Sequence, residues 1–480
     1  MNRDDYLREY ENNQALRERV AADPNRLHYH LMPPTGWLND PNGLCQFHGV
    51  YHVYFQYTPF LASWGLKAWG HYTTRDWLHF REEEPFIFAD TADDRDGVYS
   101  GSAFVQGDTI HYFYTGNVKY KDRDYDYILE GREHNTMHFT SKDGYTTTPK
   151  QVLMRNADYP ADISKHVRDP KVYCRDGKYY MVQGARDRDS HGCVLLFRSD
   201  DLTHWENYNR IRTDEPFGYM WECPDLFDLD GQTLLLTCPQ GVPQQGHLYQ
   251  NVYQCGCFPI TLDLAHNSYT LGAFRELDKG FDIYACQTFQ DERGRRILIG
   301  WMGIPDADYD NDVTVEQGWI HALTMPRVLS WRDGRLIQQP MEEMQALRRT
   351  RQESNLRGAP HWETADCCFE LAIWLTQSPE RLALQLRDDV SLTYADGILT
   401  LQLGNSGRGR TTRTVELEQL RDLTVFSDTS SIEIFINGGE EVMTTRVYSS
   451  TLEQTIRLAP DTLDGSAVFY ELDGYSIEKP

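Results

Sequence analysis

The sequence contains no Cys-x-x-Cys pair, although ten cysteines are scattered along it. Structural zinc sites depend on closely spaced cysteines and histidines, so this absence argues against such a site. Ten cysteines in 480 residues are also too few for a disulfide scaffold. The acidic segments do not have the ligand spacing of an EF-hand either. We therefore expect a reduced protein without a bound metal.

Long apolar runs are missing as well, since none approaches the ~18 residues that a membrane-spanning helix needs. The first residues, MNRDDYLREYENNQ, lack the apolar core of a secretory signal. Basic residues are in deficit: 47 stand against 72 acidic ones, for a formal net charge of −25. Such a surface repels nucleic acid and anionic membranes. We predict a cytoplasmic protein that binds a neutral polar small molecule, and the oligomeric state stays open.

Helical periodicity is almost absent between the first residues and residue 340. Residues 2 to about 22 predict one amphipathic helix, and residues 23 to 340 carry short apolar strands instead. A glycine turn followed by an apolar strand occurs five times, at intervals of 54 to 70 residues. Each interval has room for about four strands. The five turns contain these glycines: Gly49, Gly107, Gly177, Gly231 and Gly294.

Strand repeats of this length are typical of propeller blades, so five of them predict a five-bladed β-propeller. A large irregular β-sandwich is the alternative. From about residue 356, alternating apolar and polar residues with Asp-Gly, Asn-Gly and Gly-Gly turns predict a two-sheet sandwich. We expect an all-β protein with a helical extension (1–27), a propeller (28–340), a linker helix (341–355) and a C-terminal β-sandwich (356–480).

Three acidic residues stand at similar places before the repeat glycines. Asp40, Asp169 and Glu222 lie nine, eight and nine residues before the glycine of the first, third and fourth repeats. Each is followed by a proline at the next residue or the one after it, and proline restricts the backbone of its neighbour. If the glycine turns join the first two strands of each blade, the three acids converge on one funnel. Ordinary turn chemistry is the alternative for each acid alone. The fifth repeat carries Asp282, twelve residues before its glycine.

The motifs WLNDPNG, VRDP and WECPDLF, in that order, resemble the three signature motifs of glycoside hydrolase family 32. This family comprises invertases, sucrose-6-phosphate hydrolases and fructanases. The segments FQYTPF, WGHYTTRDWLHF, YSGSA, GWM and WIHALTMPRVLS also resemble family segments, and the resemblance covers about residues 28 to 480. It implies a five-bladed propeller that carries the active site, followed by a β-sandwich. The chain has DIYACQ where the family more often has DFYAPQ.

The resemblance also implies roles for individual residues. It makes Asp40 the nucleophile, Glu222 the general acid/base and Asp169 the residue that stabilises the transition state. Trp69, in the same loop as Trp64, is also expected at the pocket, because Gly-rich loops rarely fill cores. The expected substrate-binding residues are Trp37, Leu38, Asn39, Gln56, Trp64, Tyr99, Ser100, Arg168, Tyr284 and Trp301.

The activity implied is retaining hydrolysis of terminal non-reducing β-D-fructofuranosides, such as sucrose and sucrose 6-phosphate, without a cofactor. An exo-acting fructan hydrolase and a non-catalytic fructoside-binding propeller are the alternatives. A phosphate ester would need local cations on so acidic a protein. Lys119, Lys121 and Arg123 are candidates, unless they only balance the neighbouring aspartates at 122, 124 and 126.

Overall fold

The structure, a computed structural model, describes residues 1–479. Two short helices open the chain, α1 (Arg3–Asn12) and α2 (Gln14–Ala21), so the prediction of one continuous helix is wrong. The break falls at Asn13, which leaves helical geometry, whereas the Asn2 side chain caps α1 by accepting from the N–H of Asp5. Within residues 1–479 no helix combines the length and apolar character that crossing a membrane requires.

Residues 36 to 340 form five antiparallel sheets that follow one another along the chain. The first sheet contains β1 (Gly36–Phe47), β2 (Val50–Thr58), β3 (Ala68–Thr74) and β4 (His79–Ile87). The second contains β5 (Val98–Gln106), β6 (Thr109–Lys119), β7 (Arg132–Ser141) and β8 (Gln151–Met154). The third contains β9 (Ile163–Arg175), β10 (Lys178–Asp187), β11 (Gly192–Ser199) and β12 (Glu206–Ile211).

The fourth and fifth sheets have additional short strands. The fourth contains β13 (Met220–Leu229), β14 (Gln232–Gln240), β15 (Gly256–Asp263), β16 (Ser268–Leu271) and β17 (Arg275–Glu276). The fifth starts with β18 (Tyr284–Gln290) and β19 (Arg296–Met302). After helix α3 (Asp312–Val315), β20 (Trp319–Ile320) pairs in parallel with β1 of the first sheet. The fifth sheet then continues through β21 (Ala322–Leu323), β22 (Arg327–Arg332) and β23 (Arg335–Pro340).

The repeat glycines lie where the sequence placed them, between the first and second strands of each sheet. All five have positive φ, which costs glycine little because it has no Cβ. In three of the five turns the residue before the glycine also has positive φ, as a type I′ hairpin requires; these residues are His48, Asp176 and Asp230. The first strands contact one another in succession: β1 lies against β5 and β18, β9 against β5 and β13, and β13 against β18.

The C-terminal part consists of two six-stranded antiparallel sheets packed on a shared apolar core. The predicted linker helix is only partly correct. A 3₁₀ helix spans Glu342–Leu347, but Gln352–Asn355 is already a strand that pairs with the sandwich. The strands are β24 (Gln352–Asn355), β25 (His361–Thr364), β26 (Phe369–Leu375), β27 (Arg381–Arg387), β28 (Val390–Ala395), β29 (Ile398–Leu403), β30 (Thr412–Glu416), β31 (Asp422–Asp428), β32 (Ser431–Ile436), β33 (Glu441–Arg446), β34 (Gln454–Ala459) and β35 (Gly465–Glu471).

The two domains are joined by a final strand and by buried charges. Strand β36 (Ser476–Glu478) leaves the sandwich and pairs in parallel with β4 of the first sheet. At the seam, the fully buried Arg327 guanidinium lies 2.6 Å from Glu433 of the sandwich and 3.1 Å from Asp278. His30 bridges Glu433 and Asp428 across the same seam. Since breaking a buried pair leaves an uncompensated charge, these contacts hold the domains in one arrangement.

Candidate active site

Most of the predicted site residues lie at irregularities in the first strands of the five sheets. In each of these strands the pairing register shifts. A β-bulge of this kind bends the strand and redirects side chains. The three predicted acids therefore lie within or at the edge of a bulge. The shifts fall between Leu38 and Pro41, Val98 and Gly101, Arg168 and Lys171, Glu222 and Asp225, and Tyr284 and Gln287.

The backbone is left-handed at three of these bulges, at Asp169 (φ 62°), at Cys223 (φ 48°) and at Ala285 (φ 48°). Non-glycine residues rarely adopt this conformation, and where they do the strain is often linked to function. Asp169 and Cys223 thus occupy equivalent positions, one residue after Arg168 and Glu222. This offset explains why Asp169 lies eight residues before its repeat glycine whereas Glu222 lies nine before its own.

Asp40, the predicted nucleophile, is held by two side-chain donors. The Asn39 amide donates to Oδ1 at 3.0 Å, and the Ser100 hydroxyl donates to Oδ2. Trp37 Nε1 in turn donates to Asn39 Oδ1 at 2.9 Å, which fixes the orientation of the amide. Burial raises the pKa of Asp40, and the hydrogen bonds from Ser100 and Asn39 oppose that shift. The donors therefore help to keep a partly buried carboxylate ionised.

Asp169, the predicted transition-state stabiliser, is buried beside the other two acids. Its Oδ2 accepts from the backbone N–H of Cys223 at 2.8 Å, and its own N–H donates to Thr115 Oγ1 at 3.0 Å. Burial raises the pKa of Asp169 to about 7, against the opposing charge of Arg168 and with added repulsion from Glu222 and Asp40. A shift of this size, with these charged neighbours, is typical of functional sites.

Glu222, the predicted acid/base, has both carboxylate oxygens engaged. Oε1 accepts from Arg168, with Nε at 2.7 Å and Nη2 at 2.6 Å. Oε2 accepts from the Tyr284 hydroxyl at 2.6 Å and from the Gln240 amide at 2.7 Å. These donors come from three different sheets, so the orientation of the carboxylate depends on the whole domain. Sequence reasoning did not identify Gln240, because nothing in the strand QTLLLTCPQ distinguishes it.

Cys223 connects the three acids. It follows Glu222 in the chain, its N–H binds Asp169, and its Sγ lies 3.8 Å from Asp40 Oδ2. The left-handed backbone at Cys223 therefore orients these groups toward a single point. Cys223 thus brings together acids from the first, third and fourth sheets, and their opening into a common funnel stays a prediction.

Aromatic rings form one wall beside these carboxyl groups. The Trp37 ring lies edge-on to His321, with centroids 4.7 Å apart, and His321 lies edge-on to Trp301 at 5.0 Å. Trp64 approaches Trp37 at 6.1 Å and is 60% exposed, so it forms the outer rim. Tyr284 contacts Trp301 from the other side at 6.3 Å. Flat apolar surfaces next to polar groups are suited to the apolar face of a sugar ring.

Lys67 is a charged residue at this wall that sequence reasoning missed. It is 1% exposed, and its ammonium has no hydrogen-bond partner within residues 1–479. The ammonium lies 4.6 Å from the Trp64 ring centroid and 4.9 Å from that of Trp37. Burial lowers the pKa of Lys67 to about 7, with Asp40 opposing the shift. A positive charge here favours the ionised form of Asp40.

The remaining predicted residues occupy two kinds of place. Gln56 and Tyr99 support the site: Gln56 donates to the carbonyl of Val98 at 3.0 Å, and Tyr99 is largely buried next to His134. The Leu38 side chain is fully buried in the apolar core, so only its backbone faces the bulge. The expectation for Trp69 is wrong. Its ring is fully buried in a cluster with Tyr54 and other aromatic residues.

Asp282 and the predicted phosphate-binding cations have other partners. Asp282 is fully buried and forms a bidentate ion pair with Arg410 of the sandwich at 2.7 Å. Lys121 lies 2.9 Å from Asp96, and Arg123 lies 2.6 Å from Glu130. Asp282 therefore serves the domain interface, and Lys121 and Arg123 balance acidic residues.

One group in the described part of the chain brings three potential metal-ligand side chains together. The ligand atoms of His28, Asp366 and Cys368 lie within 4.8 Å of one another at the domain seam. Cys368 Sγ also lies 3.6 Å from Asp428, which is bound by His30. The group thus belongs to the interdomain network and not to the cluster of Asp40, Asp169 and Glu222.

Comparison with known proteins gives the same family along nearly the whole chain. Residues 30–340 match the glycosyl hydrolases family 32 N-terminal domain, and residues 336–473 match the glycosyl hydrolases family 32 C-terminal domain. The chain is 39% identical over 453 residues to the sucrose-6-phosphate hydrolase of Bacillus subtilis (strain 168), covering 92% of each chain.

Solved structures give the same result. The structure of sucrose-6-phosphate hydrolase from Lactobacillus gasseri superposes with a TM-score of 0.88 at 29% identity, over 97% of each chain. A mutant of the Bombyx mori GH32 beta-fructofuranosidase in complex with sucrose has a TM-score of 0.81 at 29% identity, over 98% of this chain and 99% of that one.

Proposed function

The chain belongs to glycosyl hydrolase family 32, and from this membership and the geometry of its site we propose that it is a retaining β-fructofuranosidase. Its substrates are sucrose and sucrose 6-phosphate, cleaved at the terminal non-reducing fructose. Relatives named sucrose-6-phosphate hydrolase and a relative solved with sucrose support this substrate class. A sugar phosphate as substrate and ten unpaired cysteines both fit a reducing cytoplasm as its location.

We further propose that the five sheets are the blades of a closed five-bladed β-propeller. The succession of contacts from β1 through β5, β9, β13 and β18 back to β1 supports a ring of innermost strands. The pairing of β20 with β1 supports a closure of first and last blades by backbone hydrogen bonds. In this arrangement the bulges of all five first strands open on one end of the axis, where the acids meet.

In the proposed mechanism, Asp40 attacks the anomeric carbon of fructose while Glu222 protonates the glycosidic oxygen. The bond between that carbon and the oxygen breaks, glucose or glucose 6-phosphate leaves, and a fructosyl ester of Asp40 forms. Glu222 then removes a proton from water, the water oxygen attacks the same carbon, and Asp40 leaves as a carboxylate. Two displacements at one carbon retain its configuration.

The other site residues act on charge and position in this proposal. Ser100, Asn39 and Lys67 favour the ionised Asp40 that the first step needs. Arg168 and Asp169 stand next to Glu222 and Asp40, where an oxocarbenium-like transition state gathers positive charge on the fructose ring. The aromatic wall of Trp37, Trp64 and Trp301 supplies the apolar surface for the furanose.

The convergence of Asp40, Asp169 and Glu222 on Cys223 is the observation that carries this proposal. The test is fructose release from sucrose, sucrose 6-phosphate, inulin and levan by the full chain, with Asp40→Asn as the matched control. We expect cleavage of the two disaccharides and loss of several powers of ten in Asp40→Asn. With methanol as acceptor, the product should be the methyl β-fructoside. Three results would contradict the proposal. They are a methyl α-fructoside as product, a tenth of the wild-type activity kept by Asp40→Asn, and faster cleavage of a fructan than of the disaccharides.

A further inference from the structure

Two cations beside the site have no acidic partner, although the chain as a whole is strongly acidic. Lys119 ends β6, Arg132 begins β7, and the two residues are direct partners in the antiparallel pairing. Neither forms an ion pair with a carboxylate among residues 1–479. Their side chains face one ring, with the Lys119 ammonium 5.4 Å and the Arg132 guanidinium 5.8 Å from the centroid of Tyr127.

Both cations are partly buried, which makes their proximity costly. Burial lowers the pKa of Lys119, and the charge of Arg132 lowers it further. Burial also lowers the pKa of Arg132, whose Nε is buried and without a hydrogen-bond partner in the described chain. The adjacent His134 is fully buried, and both of its ring nitrogens are unpaired. An anion with several acceptor oxygens would satisfy such a group of donors.

A continuous chain of contacts links these cations to Glu222. Arg168, which binds Glu222, places Nη1 at 2.8 Å from His166 Nδ1. His166 Nε2 lies 3.3 Å from Arg132 Nη1. Glu222 is proposed to protonate the oxygen of the leaving sugar, so the leaving sugar lies beside Glu222. Arg132, and Lys119 paired with it, lie at the other end of this chain of contacts.

Open space adjoins Lys119. Lys119 lines an open depression of about 790 Å³ together with Arg95, Asp96, Tyr120, Lys121, Asp122 and Tyr125. The two acids in this lining are already engaged: Asp96 binds Lys121 at 2.9 Å, and Asp122 accepts from Tyr125 Oη at 2.9 Å. Of the basic residues around the depression, Lys119 is thus one that remains available to a ligand.

We propose that Lys119 and Arg132 form a phosphate subsite for the leaving sugar, and that they give the enzyme its preference for sucrose 6-phosphate over sucrose. The ligand is a phosphate monoester on the glucose unit. The inference rests on the proposed function, since a leaving sugar exists only if the enzyme cleaves fructosides. Of the three cations expected from the sequence, only Lys119 belongs to this subsite. Lys121 and Arg123 do not, because carboxylates balance their charges, and Arg132 is added.

The test is the ratio of kcat/KM for sucrose 6-phosphate to kcat/KM for sucrose, measured at low salt. Wild type should favour the phosphate ester, and Lys119→Met or Arg132→Met should lower the ratio roughly ten- to hundredfold, the range expected for a lost charged hydrogen bond. Arg132→Lys keeps the charge and should retain part of the preference, which separates phosphate binding from a support role toward His166. The matched control Lys121→Met should leave the ratio unchanged. Raising the salt to about 0.5 M should weaken the preference of the wild type.

Product inhibition distinguishes the leaving sugar from free phosphate. Glucose 6-phosphate should inhibit wild type at lower concentration than glucose or inorganic phosphate, and Lys119→Met should lose this difference. Equal inhibition by inorganic phosphate and glucose 6-phosphate would overturn the assignment. So would equal losses of kcat/KM on sucrose and sucrose 6-phosphate in the variants, or a ratio of kcat/KM that neither Lys119→Met nor Arg132→Met changes. Failure of the proposed function is a separate result, because wild type would then release fructose from neither sugar.

Discussion

At the residue scale, the site depends on polar contacts that tie each carboxyl group to several sheets. Glu222 receives hydrogen bonds from Arg168, Tyr284 and Gln240. Asp40 is bound by its chain neighbour Asn39 and by Ser100 from the second sheet. Side chains positioned in this way by packed strands stay close to one geometry, which catalysis requires.

Glu222→Ala should slow cleavage most for those substrates whose leaving group must be protonated to depart. Cleavage of sucrose should fall by about 10²- to 10⁴-fold, the usual contribution of a general acid. Cleavage of an aryl β-fructoside with an acidic phenol as leaving group should fall much less, because that phenolate departs unprotonated. Steady-state kinetics on both substrates measures the difference. Equal losses on the two substrates would remove Glu222 from the acid role.

Lys67→Met should move the acidic limb of the pH profile of kcat/KM to higher pH. The cation favours the ionised form of Asp40, so its removal raises the pKa of Asp40 further above its ordinary value. Lys67→Arg keeps the charge and is the matched control, with a limb close to that of the wild type. Profiles of Lys67→Met and wild type that coincide on the acidic side would show that Lys67 does not act on Asp40.

At the element scale, the β-bulges decide which residues reach the site. Regular alternation along β9 would point neighbouring side chains to opposite faces, but the shift between Arg168 and Lys171 brings Arg168 and Asp169 to the same cluster. The same irregularity in β13 places the Glu222 side chain beside the N–H of Cys223, which donates to Asp169. The strand β36 contributes in another way, because it carries the C-terminal segment back onto the first sheet.

A chain that ends at Tyr475 should fold with lower stability and keep its activity. It lacks the backbone pairing of Ser476–Glu478 with β4 and the partly buried side chain of Ile477. The loss of a few net hydrogen bonds and one contact costs on the order of 1–3 kcal/mol. Denaturant unfolding measures this difference, and a chain that ends at Glu478 is the control. Equal midpoints for both chains would show that β36 adds nothing to stability.

At the scale of the whole molecule, the two domains share both apolar core and charges. One apolar cluster runs from the first, fourth and fifth sheets into sandwich residues such as Phe426 and Phe435. Buried ion pairs at Arg327 and Arg410 cross the same seam. The sandwich therefore completes the structure of the N-terminal domain instead of acting as an independent appendage.

Residues 1–350 alone should give insoluble or inactive protein. Removal of the sandwich exposes the apolar seam and leaves the buried charges of Arg327, Asp278 and Asp282 with partners missing, at a cost of roughly 3–5 kcal/mol for each broken pair. Expression of the fragment beside the full chain, with soluble yield and fructose release as readouts, measures this. A soluble and active fragment would show that the domains are independent.

The pH dependence of stability should have a plateau set by His30 and Asp428. Burial would lower the pKa of His30, but hydrogen bonds to Asp428 and Glu433 outweigh it and raise the pKa above 6.5. Burial would raise the pKa of Asp428, but the hydrogen bond with His30 and those from backbone N–H groups outweigh it and lower the pKa to about 2. The stabilisation from Asp428 is complete above 3.8 and lost as pH falls toward 2. That from His30 is complete below 6.5 and lost as pH rises through its raised pKa.

We therefore expect the unfolding temperature of the wild type to decline as the pH rises above 6.5, and His30→Gln to flatten that decline. His204 is exposed and pairs with Asp201 on the surface, so His204→Gln is the matched control and should leave the pH profile unchanged. Differential scanning calorimetry across the pH range measures the unfolding temperatures of wild type, His30→Gln and His204→Gln. A decline of the same steepness in His30→Gln would exclude His30 as its source.

Much of this protein is determined by local sequence patterns. The glycine turns, the strand alternation and the motifs around Asp40, Asp169 and Glu222 are short-range features, because backbone conformation at a turn depends on the residues in it. From them follow five sheets, a sandwich and three acids that meet. The predicted linker helix over 341–355 is the contrast: its composition favoured a helix, but tertiary pairing with β35 makes Gln352–Asn355 a strand.

Only the tertiary structure decided which polar groups gather at the site. Lys67, Gln240 and Arg132 lie in stretches without a distinctive pattern, and their neighbours lie far away in sequence, such as Asp40, Glu222 and His166. In the same way Asp282 looks like a fourth acid of the funnel but is neutralised by Arg410, which lies 128 residues further along the chain. Local sequence determines where the backbone turns and where strands form. Whether a charge is balanced depends on burial and on partners far away in the chain, so it is decided only when the whole chain has folded.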